Sequence, residues 1–157
     1  DDDGETEEDF EVDARQARAD QGGEGDRWAD APENLLMPTK LDSSAPHLEG
    51  PATYAGPLKD WGHQANPIAG NSKSDGVLLH KGSNGQPEVG LWQCTPGTWP
   101  LEIPRDELCH FVSGRATYTH ESGEVIEITA GTLVLFKAGW KGICTVHDTM
   151  RNVYMLS

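Results

Sequence analysis

A chain of 157 residues, 36% of them hydrophobic, can bury one modest core and little more, and none of its apolar runs approaches the roughly 18 to 20 residues of a membrane span. Its formal charge of −14 argues against a nucleic-acid-binding face, which needs clustered Lys and Arg. The acid is concentrated, since residues 1–30 hold thirteen Asp/Glu against three Arg, a net of −10 that leaves −4 for the other 127.

Residues 1–30 are thus an acidic tail. In its first thirteen residues Phe10 and Val12 are the only large apolar side chains, too few to offset the entropy of ordering. The tail is expected to be disordered alone or docked on a protein partner through Phe10, Val12 and Trp28, and a basic surface is the natural complement. A short helix over 12–19 is one docked form, stopped by Gly22, Gly23 and Gly25. Residues 31–75, rich in Pro and Gly, read as an extended arm over a core, with the Trp61 indole anchored in a surface groove. His47 and His63 read as ordinary loop histidines.

From Gly76 the pattern becomes regular. Val77–His80 and Val89–Cys94 are strands joined by the Gly82-Ser83-Asn84-Gly85 turn, and Thr95-Pro96-Gly97 turns the chain again. Leu108–Val112 and Arg115–His120 flank Ser113-Gly114. Val125–Thr129, Leu133–Phe136, Ile143–His147 and Asn152–Leu156 complete the set. Seven or eight short strands between glycine turns, with no convincing helix, predict an all-β antiparallel sandwich or jelly-roll barrel over 76–157.

Three cysteines, Cys94, Cys109 and Cys144, show no metal-ribbon spacing and cannot all pair within the chain. Reduced thiols in a cytoplasmic or organellar-matrix setting are expected. The chain opens at Asp1 without a methionine, so a removed leader stays compatible with that expectation.

Within Asp106–Gly114, alternation puts Glu107, Cys109 and Phe111 on one face and Leu108, His110 and Val112 on the other. Glu107, six intervening residues and Gly114 resemble the second half of the first cupin motif, and Gly131–Gly139 resembles the start of the second. Trp92–Gly97 and Ala138–Gly142 resemble a small single-domain cupin subfamily that contains ureidoglycine aminohydrolase-like domains. The resemblance, over roughly residues 75 to 157, implies a double-stranded β-helix, the jelly-roll barrel of the cupins. It also implies a barrel site for a small polar metabolite, such as a ureido or amino acid compound, where a metal helps release ammonia. Of the four metal ligands it implies, only Glu107 is present: the run Trp99–Arg105 has no histidine, and Gly142 stands where the last one belongs.

Registered on the second motif, Gly142, Cys144 and Val146 should face inward and His147 outward. Glu107 is then the candidate catalytic residue, as general acid or base or as metal ligand, or else a buried structural carboxylate held by Lys141 or Arg105. Trp92, Cys109, Tyr118, Cys144 and Lys141 are the candidate pocket residues, the cysteines serving as soft ligands or nucleophiles or simply as small buried hydrophobes. Either no cofactor or a non-standard divalent metal is expected. The alternative to a metabolite-binding enzyme with a degenerate metal site is a non-catalytic cupin, docked in a larger assembly through its acidic arm or paired as a homodimer.

Overall fold

A computed structural model of the chain describes residues 40–157; the expected docking residues Phe10, Val12 and Trp28 lie outside the described residues. Nine strands and no helix occur among the described residues: β1 Lys59–His63, β2 Ala69–Gly70, β3 Lys73–Lys81, β4 Glu88–Cys94, β5 Gly97–Ile103, β6 Glu107–His120, β7 Val125–Ile128, β8 Leu133–Phe136 and β9 Trp140–Leu156. All pairings between them are antiparallel, in the order β1-β3-β4-β9-β5-β2, with β6 alongside β9 and carrying β7 and β8.

The pair β6/β9 is the axle of the fold. Through Met150–Leu156, β9 lies between β4 and β6; through Trp140–Val146 it lies between β5 and β6. One strand therefore belongs to both walls, and the sheet folds over on itself as a jelly-roll barrel. The bend coincides with register irregularities between Phe111 and Ala116, where Gly114 adopts a φ of 84°. Irregularities of this kind bend and twist a strand. Arg115 Nε donates to Asp148 Oδ2 across this bend at 2.6 Å.

Three expectations are corrected here. The two halves expected for β6 are one strand, because Ser113-Gly114 makes a bulge rather than a turn, and the two expected for β9 run on through residues 148–151 as one strand as well. The histidine-free run holding Pro100 is a strand, β5; β2 pairs only with Gly97 and Thr98, so among the described residues Pro100 stands on an open edge where its missing N–H interrupts no ladder. Sheet structure also begins inside the expected arm, at β1. Its Trp61 is 3% exposed and joins the main core rather than a surface groove.

That core fills the space between the walls with Trp92, Trp99, Phe111, Tyr118, Phe136 and Tyr154, among others. The arm packs outside: Leu41, Leu48, Tyr54 and Leu58 cover Val77, Leu91 and Val153. Arg151 pins it, donating Nε to Gln93 Oε1 at 2.8 Å and Nη1 to the carbonyls of Pro51 and Tyr54 at 3.1 and 2.8 Å. Burial lowers the pKa of Arg151 and raises that of Tyr54; the mutual attraction between guanidinium and phenolate partly opposes both shifts.

Candidate functional site

Residues directly opposed on neighbouring strands share a face of the sheet, so the pairings give the inner wall rung by rung. The first rung runs Phe136, Glu107, Leu156, Glu88 across β8, β6, β9 and β4. The second runs Val134, Cys109, Tyr154, Gly90, and the third Phe111, Asn152, Trp92. Glu88, Glu107 and Asn152 are all 0% exposed, which places two carboxyl groups and a carboxamide in the barrel wall.

Each carboxyl group has a donor beside it. Tyr154 Oη donates to Glu88 Oε2 at 3.0 Å, reaching it across Gly90, where a Cβ would come within 2.9 Å of that hydroxyl. Cys109 Sγ donates to Glu107 Oε1 at 3.4 Å. The Lys81 ammonium approaches Glu88 Oε1 to 4.0 Å. Asn152 differs from both: neither its nitrogen nor its oxygen has a protein hydrogen-bond partner, and the Trp99 indole N–H is in the same condition.

The other half of the interior is apolar. Trp99, Cys144 and Tyr118 form one rung there, and Leu101, Gly142 and His120 the next. Tyr118 ties the halves together, its ring 4.9 Å from Phe136, 6.0 Å from Phe111 and 6.0 Å from Trp140. A cavity of about 70 Å³ between the arm and the outer sheet face is lined by Leu48, Pro51, Val77, Leu79, Gly90, Leu91 and Val153. Its lining offers no side chain suited to a polar ligand.

The structure thus gathers Glu107, Cys109, Trp92, Tyr118 and Cys144 in the interior. Lys141 does not join them: it is exposed on the outer face opposite Glu102, because Gly142 and Cys144 take the inward positions of β9. Arg105 turns away as well, donating to the Gly85 carbonyl at 3.3 Å. Glu88, Asn152 and Tyr154 were not singled out from the sequence. Stepping back along β4 from Trp92 in twos lands on Glu88, a signal that was there to be read. Asn152 and Tyr154 are identified only by the long-range register of β9.

Residues 81–154 match the family model of the EutQ-like cupin domain. That stretch is similar to a cupin domain. The fold is similar to that of a protein of unknown function of the DUF861 family from Pseudomonas syringae pv. tomato, at 18% identity and a TM-score of 0.60 over 66% of this chain; the chain spans only 45% of that protein. It also resembles the Clostridium difficile EutQ protein (18% identity, 58% of this chain and 70% of that one, TM-score 0.48). A putative ethanolamine utilization protein Q from Salmonella typhimurium matches at 18% identity over 55% of this chain and 69% of its own, with a TM-score of 0.47. No curated protein matches.

A cupin metal centre does not fit these residues. The inward positions of β5, where the histidines would stand, are Trp99, Leu101 and Ile103. A side chain at Gly142 would run into the backbone oxygen of Thr119 and the Trp140 ring. Among the described residues no group of three or more His, Cys, Asp and Glu could hold a metal ion. What the barrel wall does present is a buried set of polar side chains, Glu88, Glu107 and Asn152.

Proposed function

We propose that the cupin domain binds a small polar organic molecule inside its barrel without a metal ion. Asn152 carries this reading, because its carboxamide is fully buried with both atoms unpartnered by protein. Such a group costs about 1–3 kcal/mol, and a leucine would suit a purely structural role better. A ligand offering a donor to Oδ1 and an acceptor to Nδ2, as a ureido or amide group does, offsets that cost. Glu107 and Glu88 are the neighbouring acceptors. Metal-assisted release of ammonia, as in ureidoglycine aminohydrolase-like domains, needs a donor set absent from this wall, so binding is the better-supported activity.

Calorimetric titration of N-carbamoylglycine into the full chain, with a chelator present, tests the reading. Saturable binding that is lost in Asn152→Leu is the expected result. Equal affinity in the variant, or binding that appears only on adding a divalent metal, would overturn it.

A second reading, a protein-facing subunit, is favoured by one observation. On the outer face Leu135, Leu108 and Met155 form a rung that is 55%, 38% and 45% exposed, with Leu133, 65% exposed, on the next. Contiguous exposed apolar surface marks contact sites. This reading predicts self-association in light scattering that Leu133→Ser with Leu135→Ser abolishes; a wild-type chain that stays monomeric and captures no partner would sink it.

A further inference from the structure

One outer face of the sheet is largely apolar across four strands and is covered over only part of its width. Its rungs run Leu91, Val153, His110, Leu133 and Val89, Met155, Leu108, Leu135 across β4, β9, β6 and β8. The arm residues Leu41, Leu48, Tyr54 and Leu58 cluster with Leu91 and Val153. Beyond them Met155, Leu108, Leu135 and Leu133 stand 45%, 38%, 55% and 65% exposed. Even under the arm, the cavity of about 70 Å³ between Leu48, Pro51 and the sheet is unfilled by the arm's own side chains.

The chain reaches this face at Lys40, which pairs with His47 beside Leu41 and Leu48. Just before it, residues 34–39 carry no charge, and Leu35-Leu36-Met37 is the only run of consecutive large apolar residues in residues 1–39. Leu36, four residues ahead of Lys40, has a reach of about 13 Å at about 3.3 Å per extended residue. From Val153 on β9 to Leu133 on β8 there are two strand spacings, about 10 Å. A tethered segment meets the face at an effective concentration on the order of millimolar. A second copy seated there would instead bring together two acidic tails, each of net −10 over residues 1–30.

We propose that the Leu35-Leu36-Met37 run of the same chain completes the cover, lying on Met155, Leu108, Leu135 and Leu133 and withholding this face from other chains. The inference is independent of the interior binding proposed above; it concerns the face of the second reading and gives that face a different occupant.

The three methionines report on it, because a covered thioether resists peroxide and an exposed one becomes the sulfoxide. Met155 lies under the proposed cover, Met37 within it, and Met150, 0% exposed, monitors the fold. Oxidation of the dilute full chain by hydrogen peroxide, followed residue by residue by mass spectrometry, should be at least threefold slower at Met155 than in Leu35→Ser with Leu36→Ser, with Met150 unreacted in both. Leu133→Ser with Leu135→Ser should in turn speed oxidation of Met37 by a similar factor. In concentrated solution the Leu35→Ser, Leu36→Ser chain should self-associate in light scattering while the wild-type chain stays monomeric.

Equal Met155 rates in the two chains would overturn the proposal. So would a wild-type Met155 that is protected in concentrated solution and reacts freely on dilution, which would give the face to a second copy and leave the interior site untouched. A Leu35→Ser, Leu36→Ser chain that stays monomeric would overturn the withholding role and leave the contact standing.

Discussion

The two halves of β9 face the same interior and line it differently. From Trp140 to Val146 the strand offers Gly142, Cys144 and Val146 to Leu101, Trp99 and Tyr118; from Met150 to Leu156 it offers Asn152 and Tyr154 to Glu88, Glu107 and Cys109. In the half where the cupin histidines would stand, side chains pack. In the other, polar groups are kept at a cost to stability. The difference teaches that a barrel without a metal-binding group among its described residues need not be chemically blank, since one end can pack while the other stays polar.

Restoring the missing histidine is the harshest way to break that contrast. Gly142→His should lower stability by about 3 kcal/mol or more, because the new Cβ meets the Thr119 backbone oxygen and has nowhere to go. Urea denaturation followed by circular dichroism would show it, and tighter metal binding without destabilisation would contradict the packed-half account.

Arg151 tests the outside of the polar half. Arg151→Met removes the hydrogen bonds that hold Gln93 and the arm at Pro51 and Tyr54, so a loss of about 2–4 kcal/mol is expected. Limited proteolysis should then cut within residues 40–58 ahead of the barrel. An unchanged cleavage pattern would mean that the apolar contacts of Leu48 and Tyr54 suffice.

The contrast sharpens with a pair of core substitutions of opposite expected sign. Asn152→Leu should raise stability by about 1–2 kcal/mol by deleting an unpaired amide, and Val146→Thr, placing an unpaired hydroxyl in the apolar half, should lower it by a similar amount. Thermal unfolding of both variants decides. Destabilisation by Asn152→Leu would mean that the carboxamide is structural.

These predictions rest on unequal parts of the sequence. The face holding Glu107, Cys109 and Phe111 could be read directly, because alternation within one strand is local. The turn at Gly82–Gly85 was equally legible, Gly85 having a φ of 81°. The continuity of β6 and β9 was not: Ser113-Gly114 carries the same local signal whether it makes a turn or a bulge, and only the partner strand decides. Asn152 faces Trp92 from far along the chain, so its place in the site is a matter of register. Pro100 hid β5, since its fitness for a strand depends on which edge lies open.

The smallest expected effect concerns pH and lies outside both halves. The Gly62 backbone N–H, donating at 2.7 Å, holds the Asp60 carboxyl below the usual carboxylate range, aided by Lys73 at 3.2 Å. Because the folded pKa is the lower one, this stabilisation is complete above the ordinary carboxylate range and is lost as pH falls through the folded value. Lys73 is raised, chiefly by its hydrogen bond to Asp60, so its share is complete below the ordinary lysine range and fades as pH rises through the raised value. Asp60→Asn should flatten both limbs of the stability curve slightly, and salt should shrink the difference because these groups are exposed. A steeper acid limb in the variant would refute the assignment.

The most direct measurement is of the Asn152 side-chain amide itself. With asparagine side chains isotopically labelled and assigned, N-carbamoylglycine added with a chelator present should shift the Asn152 NH₂ resonances and leave surface amides unmoved. Binding that leaves those resonances in place, or that needs added metal, would contradict the proposal that a metal-free polar wall is the working surface of this barrel.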